Sequence, residues 1–107
     1  MGLITMENIG REGIRGVASS SGRRLAESAD WIVCHLDVDA LDQNVMPAVN
    51  YPTPGGMTTD QVVTAIKELK ATEKLRVLEV SAYNPDFDKS GLSAEVVVGL
   101  VRESLHL

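Results

Sequence analysis

The fold is decided by a nearly continuous apolar run, Trp31-Ile32-Val33-Cys34-His35-Leu36, which leads into the acidic segment Asp37-Val38-Asp39-Ala40-Leu41-Asp42. A run of this length favours a strand of a parallel sheet, because such strands are covered on both faces. A second apolar run, Leu75 to Val80, favours another buried strand. Ligands of open α/β sheets bind at the carboxyl ends of strands, so polar residues that follow these runs are candidate site residues.

Two further segments have the periodicity or the caps of helices. Glu12 to Ser28 places apolar residues near one face, although its glycine and serine residues weaken that prediction. Thr58 followed by Gln61 is the pattern of a capping box, and it predicts a helix from Thr59 to Lys70.

The remaining segments complete an alternating order of strands and helices. Gly2 to Met6 is a short apolar start that favours a strand, and Ser93 is expected to cap a last helix, Ala94 to Leu105. Gln43 to Gly56 is a long loop rich in proline and glycine, and its length favours a functional role. The order β-α-β-loop-α-β-loop-α predicts an α/β layered fold with a parallel sheet.

The composition fits one small globular domain and argues against several classes of function. The chain has 107 residues, of which 44% are hydrophobic, and a formal net charge of −5. A nucleic-acid partner requires a dense basic face, and a membrane span requires a long apolar run; we expect neither. Cys34 is the single cysteine, so no internal disulfide forms, and with no visible signal peptide we expect a cytoplasmic protein.

Asp37 and Asp39 are the strongest candidates for chemistry. In a regular strand, side chains two residues apart share a face, and two converging carboxylates repel each other unless a cation lies between them. Mg²⁺ and Mn²⁺ favour carboxylate oxygens. Alone, Asp-x-Asp also fits phosphotransferases, nucleotide-sugar transferases and solvated strand ends. We expect His35 to be a structural neighbour of the site and Asp42 to cap the loop.

Three separated motifs together resemble the C-terminal signature of the arginase, agmatinase and formiminoglutamase (ureohydrolase) family. They are His35 to Asp42 with Met46-Pro47-Ala48-Val49, then Pro54-Gly55-Gly56-Met57-Thr58, then Leu78-Glu79-Val80-Ser81 with Asn84-Pro85. The segment from Leu3 to Ile14 also looks like the unit that precedes this signature. The resemblance covers nearly the whole chain, so residues 1–107 form a single partial domain, the C-terminal third of the family's domain.

The resemblance implies a three-layer α/β/α fold with a mostly parallel sheet. It also implies hydrolysis of guanidino or amidino C–N bonds by a pair of Mn²⁺ ions that generate a bridging hydroxide. Carried over by position, Asp37 is a bridging carboxylate and Asp39 is a ligand of one metal. Glu79 matches the glutamate that pairs with the cationic guanidinium of the substrate through charge-assisted hydrogen bonds.

Several residues depart from the family's pattern. Gln43 stands where the family usually has a proline, and Tyr51 where many members have a threonine. Ser81-Ala82-Tyr83 separates Glu79-Val80 from Asn84-Pro85, whereas arginases run directly from Glu-Val into Asn-Pro. These differences indicate a divergent member, and the substrate stays open among arginine, agmatine, formiminoglutamate and others.

Most of the metal ligands that the resemblance implies have no counterpart in this sequence. The upstream histidine ligand, the Asp-x-His-x-Asp cluster and the proton-shuttle histidine are missing, and the histidines present are His35 and His106. We therefore expect no catalytic residue, weak or no Mn²⁺ binding, and no activity from the chain alone. A partial parallel sheet is also expected to expose an edge and an uncovered face, which favours a homo-oligomer.

Three functions stay open at this level. The first is the C-terminal portion of a ureohydrolase-like hydrolase acting on a small guanidino or amidino substrate. The second is a non-catalytic assembly or interaction module derived from the arginase fold. The third is a phosphotransferase with Asp37 as nucleophile. It requires a downstream lysine and further acidic ligands, and it leaves Glu79 and the Pro-Gly-Gly loop unexplained.

Overall fold

The structure, a computed structural model, describes residues 2–107. This part of the chain folds into four α-helices, two β-strands and two short 3-10 helices. In chain order the main elements are α1 (Met6–Glu12), α2 (Ile14–Ser28), β1 (Ile32–Asp37), α3 (Thr59–Lys70), β2 (Leu75–Ser81) and α4 (Leu92–Leu105). Within residues 2–107, no helix has the length and apolar character needed to cross a membrane.

The two strands are neighbours and run parallel, as the sequence predicts. Their register pairs Val33 with Val77 and, at the carboxyl end, Asp37 with Ser81. The long loop and α3 connect them, because a parallel pair needs a crossover that returns the chain to the starting end of the sheet. The predicted α/β class with a parallel sheet is confirmed.

The start of the chain differs from its prediction. Met6 already belongs to α1 and residues 2–5 pair with no described strand, so the predicted strand from Gly2 to Met6 is wrong. The cause is a capping box. The Thr5 hydroxyl accepts a hydrogen bond from the Asn8 backbone N–H, and the Asn8 side chain accepts one from the Thr5 backbone N–H. These two bonds satisfy N–H groups that begin a helix.

The predicted helix from Glu12 to Ser28 is confirmed apart from a break near its start. Gly13 takes a φ of 81° and separates α1 from α2, a conformation that costs glycine little because it has no Cβ. The far end of α2 is fixed by Lys74, whose ammonium group donates to the carbonyl oxygens of Ala26 and Ala29. A cation is favourable there because helix carbonyls carry partial negative charge.

Helix α3 begins and ends where the sequence predicts. The Thr58 hydroxyl accepts from the Gln61 backbone N–H at 3.1 Å, and the Gln61 side chain accepts from the Thr58 backbone N–H at 2.9 Å. The predicted capping box is therefore confirmed. On its outer side α3 is tied to α2 by an ion pair of 2.9 Å between Arg15 and Glu68.

Helix α4 begins two residues earlier than predicted, at Leu92, and Ser93 is not its cap. The carboxylate of Asp88 performs that role. It accepts hydrogen bonds from the backbone N–H groups of Ser93 at 3.1 Å and Ala94 at 2.9 Å. The prediction failed because the capping side chain lies several residues upstream, across the turn that contains Gly91.

The core lies on one face of the sheet. Its buried members come from the carboxyl end of β1, the following loop, α3 and α4: Leu36, Val38, Leu41, Met46, Val49, Val62, Val63, Ile66 and Leu100. Cys34, Leu78 and Val80 pack against this cluster from the same face of the strands. Cys34 is thus a half-buried core neighbour, and burial raises the pKa of its thiol.

The opposite face of the sheet is open to solvent, and we call it the uncovered face. It consists of Val33, His35, Val77 and Glu79, and the two valines are 62% and 48% exposed. The prediction that both strands are buried on both faces is therefore wrong, whereas the predicted uncovered face is observed. The physical reason is that none of the helices in residues 2–107 packs over these four side chains.

Candidate metal and substrate site

The acidic segment is a tight turn rather than a continuation of the strand. β1 ends at Asp37, and Val38–Ala40 forms a short 3-10 helix. The side chain of Asp37 caps this turn, since its Oδ1 accepts a hydrogen bond from the Asp39 backbone N–H at 3.1 Å. The expectation that Asp37 and Asp39 share one face of a regular strand is therefore wrong, but the turn still brings their carboxyl groups together.

The electrostatics of the turn reflect this closeness. Burial, and then the hydrogen bond and negative charge of Asp37, raise the pKa of the half-buried Asp39 carboxyl group. Two carboxylates held side by side disfavour their doubly ionised form unless a cation compensates their charge. This segment, Asp37 to Asp39, which we call the acidic turn, therefore holds two carboxyl groups whose negative charges repel each other.

The loop after the turn is organised by Asp42. Its carboxylate accepts hydrogen bonds from the backbone N–H groups of Asn44 and Gly55, both at 2.9 Å. The first contact closes a local turn, and the second joins the two ends of the long loop. Asp42 is therefore a capping residue of the loop, as predicted.

Gly56 packs against the backbone that follows the acidic turn and thereby fixes the position of the turn. A Cβ at this residue would lie 2.7 Å from backbone atoms of Ala40, Leu41 and Asp42. On either side of the contact, the Met57 N–H donates to the Ala40 carbonyl at 2.8 Å and the Asp42 N–H donates to the Met57 carbonyl at 2.9 Å. Only glycine permits so close an approach, so Gly56 has a structural role in this loop.

His35 and Glu79 lie opposite each other on the two strands. The His35 Nδ1 is 2.9 Å from the Glu79 carboxylate, and its Nε2 is 3.1 Å from the Ser81 hydroxyl. Both ring nitrogens of His35 are therefore engaged, which supports its interpretation as a structural neighbour rather than a metal ligand. Because Ser81 pairs with Asp37, Glu79 lies two residues behind the carboxyl edge of the sheet.

The loop after β2 packs against the long loop through Asn84. Its backbone N–H donates to the Ala48 carbonyl at 2.8 Å, and its side-chain amide donates to the Asn50 side chain at 2.7 Å. The two loops that follow the strands therefore form one continuous rim at the carboxyl edge. Within this rim, the Tyr83 hydroxyl donates to Asp88 at 2.8 Å.

Asp88 is the polar residue that sequence reasoning missed. Burial would raise the pKa of its carboxyl group, but hydrogen bonds from Ala94, Tyr83, Ser93 and Gly91 outweigh it and lower the pKa. The same contact with Asp88 raises the pKa of Tyr83. The available signal was an aspartate a short distance before a glycine and a helix, which favours capping.

The described residues do not fit an enclosed metal centre. Within residues 2–107, no group of three or more His, Cys, Asp or Glu side chains is arranged to hold a metal ion. Asp37 and Asp39 supply two carboxylates, and His35 is occupied by its neighbours on β2. The donor set is that of a partial site, because a binuclear centre requires ligands on several sides of both ions.

The comparisons with known proteins identify the family of this chain. The family model described as "Arginase family" matches residues 1–106, and the chain therefore belongs to the arginase family. A formimidoylglutamase from Aeromonas salmonicida is 33% identical over 75 residues, which are 70% of this chain and 24% of that protein. An arginase from Bacillus caldovelox is 29% identical over 99 residues, 92% of this chain and 33% of that protein.

Solved structures show the same relation in three dimensions. The arginase from Bacillus caldovelox superimposes on 98% of this chain with a TM-score of 0.89 and 30% identity, over 35% of its own length. Formimidoylglutamase from Bacillus subtilis covers 99% of this chain with a TM-score of 0.91, and at 22% identity it supports the fold alone. The chain thus spans about a quarter to a third of the length of these relatives.

Proposed function

We propose that the chain is the C-terminal portion of a manganese-dependent hydrolase of the ureohydrolase type, which cleaves a C–N bond of a small guanidino or amidino substrate. The acidic turn is the observation that supports this proposal. It holds two carboxylates at the carboxyl edge of a parallel sheet, where ligands of α/β folds bind. Two of the similar proteins, named arginase and formimidoylglutamase, point to the same class of substrate.

In this proposal Asp37 and Asp39 are metal ligands. Burial, and then the hydrogen bond and negative charge of Asp37, raise the pKa of Asp39. A bound cation would stabilise the turn by compensating the repulsion between the two groups. Gly56 and Asp42 hold the turn in place through backbone contacts. The isolated chain is proposed to be inactive and to bind Mn²⁺ weakly, because the remaining ligands must come from elsewhere.

Glu79 is proposed as the residue that pairs with the substrate's guanidinium, and the structure sets a condition on that role. The Glu79 carboxylate contacts His35 at 2.9 Å, and this contact must break before Glu79 can pair with the substrate. In the Glu-Val-Asn-Pro pattern the glutamate stands two residues before the asparagine. If that spacing is counted back from Asn84, the residue at the glutamate position is Ala82. In a completed domain, loss of hydrolysis in Glu79→Gln supports Glu79, whereas unchanged kcat and KM reject it.

A Mn²⁺ titration of the isolated chain tests the metal role. We expect the double variant Asp37→Asn plus Asp39→Asn to bind Mn²⁺ about tenfold more weakly than the wild type, or not at all. The matched control is Asp30→Asn plus Asp60→Asn, which removes the same charge from two exposed carboxylates outside the turn. Equal binding by wild type and the turn variant, or equal weakening in the control, rejects Asp37 and Asp39 as ligands.

A non-catalytic assembly module derived from the same fold is the second candidate, and the uncovered face favours it. Hydrolysis separates the two functions. A completed domain that contains this chain releases product from a guanidino or amidino substrate under the first proposal and releases none under the second. The cytoplasmic location and the homo-oligomeric state stay predictions.

A further inference from the structure

We propose that the outer side of helix α4 is a self-association surface, on which the same helix of a second copy of this chain packs antiparallel about a two-fold axis. This surface, which we call the outer stripe, consists of Leu92, Glu95, Val98, Gly99 and Arg102. None of these residues belongs to the candidate metal and substrate site, so the surface is independent of the proposed function.

Helix α4 uses its inner side to pack on the core of its own chain. Its buried residues are Ser93, Leu100 and Ser104. The outer stripe lies on the other side of the helix, because Glu95, Val98, Gly99 and Arg102 follow the spacing i, i+3, i+4, i+7 that brings side chains onto one helix face. The outer stripe is therefore a continuous surface that faces away from the core.

The outer stripe carries apolar side chains that are open to solvent. Leu92 is 63% exposed and Val98 is 51% exposed. Val98 borders a shallow groove whose lining also includes Ala94, Glu95, Gly99 and Arg102. Removing such apolar surface from water is favourable, so a second helix that enters the groove is stabilised by the burial of Val98 and Leu92.

Gly99 is a residue that the packing within one chain does not require. A glycine inside a helix destabilises it relative to alanine, yet in residues 2–107 a Cβ at Gly99 would meet no atom within 4 Å. The distance between two packed helices depends on the side chains at their contact, and glycine allows the closest approach. A second helix that crosses α4 at Gly99 gives this glycine a packing role.

The charges of the outer stripe match those of a second copy. Glu95 and Arg102 are equally far from the midpoint between Val98 and Gly99. In an antiparallel pair with its two-fold axis at this point, Glu95 of each copy faces Arg102 of the other, so the attraction occurs twice. Within residues 2–107, neither side chain takes part in an ion pair of its own chain. The complementarity is with the same helix in reverse, which identifies the partner as a second copy.

The size of the outer stripe sets the strength of the association. A stable protein interface buries about 1,600 Å² in total, which is more than one pair of short helices provides. Exposed ion pairs add little to the free energy of binding. We therefore expect a reversible dimer with a dissociation constant between about 10 µM and 1 mM.

A charge exchange tests the pairing between copies. Sedimentation equilibrium of the full chain gives the dissociation constant. Glu95→Arg and Arg102→Glu each place like charges opposite one another at two points, and each should weaken the dimer by about fivefold or more. The double variant Glu95→Arg plus Arg102→Glu restores opposite charges with reversed polarity, and its dissociation constant should return to within about twofold of the wild-type value.

The double variant separates association from effects within the helix. Glu95 lies in the first turn of α4 and Arg102 in its last turn, where each charge is favourable to the helix dipole. Exchanging both residues is therefore unfavourable within one chain and favourable between two copies. Circular dichroism verifies that all variants are folded. Recovery of the dimer in the double variant supports the proposal, whereas weakening that the double variant does not reverse contradicts it.

A matched pair of glycine variants tests the close approach. Gly99→Leu fills the groove and should weaken the dimer by about fivefold or more, while Tm of the monomer at high dilution rises because leucine favours a helix. Gly16→Leu in α2 is the control, since Gly16 is also exposed and free of neighbours within 4 Å. It should leave the dissociation constant unchanged. Equal dissociation constants for the two glycine variants overturn the role of Gly99.

The remaining outcomes concern the occupant of the outer stripe. A chain that stays monomeric up to about 1 mM overturns the proposal, because the expected dissociation constant lies below that concentration. A dimer that dissociates in Val33→Glu plus Val77→Glu but not in Glu95→Arg assigns self-association to the uncovered face of the sheet, and it also overturns the proposal.

Discussion

The two faces of the β1–β2 sheet differ in what they are packed against. On the covered face, Leu36, Val80 and the residues of α3 and α4 form a closed core with members such as Ile66 only 2% exposed. On the uncovered face, Val33 and Val77 remain open to solvent. The fold of this chain is thus supported from one side, whereas His35 and Glu79 lie on the side that is not packed.

The largest expected effect is a difference in stability between the faces. Ile66→Ala removes buried methyl groups from the core and should lower the free energy of unfolding by about 2–5 kcal/mol. Val33→Ala on the uncovered face should change it by no more than about 0.5 kcal/mol. Urea denaturation of the isolated chain measures both. Similar losses would show that the uncovered face is packed in solution.

The contact between Gly56 and the backbone after the acidic turn should be nearly as sensitive to substitution. Gly56→Ala places a Cβ 2.7 Å from three backbone groups that cannot move aside independently, and it should cost about 1–3 kcal/mol of stability and weaken Mn²⁺ binding. Gly16→Ala in α2 has free space around the added carbon and should stabilise the chain by about 0.5–1 kcal/mol. An unfolding titration in which both variants behave alike removes the proposed support of the turn.

A pH-dependent effect is expected at the rim. The folded state lowers the pKa of Asp88 below its ordinary value of 3.8, so this carboxylate stabilises the fold above that value. The stabilisation is lost as the pH falls through the lowered pKa. Asp88→Asn should reduce Tm at neutral pH and reduce it less in acid, whereas Asp86→Asn serves as an exposed control. Thermal melts from pH 7 to 2 in which Asp88→Asn shifts Tm by the same amount throughout contradict this role.

The smallest effect concerns the exit of β2. Ala82 has a φ of 74°, which is unfavourable for a residue with a Cβ, so Ala82→Gly should stabilise the chain by about 1 kcal/mol. Ala71 at the end of α3 has a φ of −62°, and Ala71→Gly should destabilise it by about 0.5–1 kcal/mol. Denaturation curves that shift in the same direction for both variants refute the proposed strain at Ala82.

Local signals in the sequence predicted the fold where short-range bonds determine it. The Thr58 and Gln61 capping box set the start of α3, and the apolar runs located both strands. The same reasoning failed at the chain start, where a capping box with asparagine at its third position was not recognised. It also missed Asp88, because that side chain acts across a turn that periodicity does not describe.

The sequence indicated candidate site residues but not how they are arranged. The sequence indicated Asp37 and Asp39 as a pair, yet it did not show that β1 ends between them. It did not show the contact between His35 and Glu79 either, because that contact depends on the register of two strands far apart in sequence. An apolar run also has the same sequence pattern whether or not the second face of its strand is covered.

A Mn²⁺ titration of the isolated chain is the most direct test that the acidic turn is part of a metal site. The wild-type chain is compared with Asp37→Asn plus Asp39→Asn and with the control Asp30→Asn plus Asp60→Asn. We predict that the turn variant binds Mn²⁺ about tenfold more weakly than the wild type and the control. Equal affinity in the wild type and the turn variant would contradict the central claim.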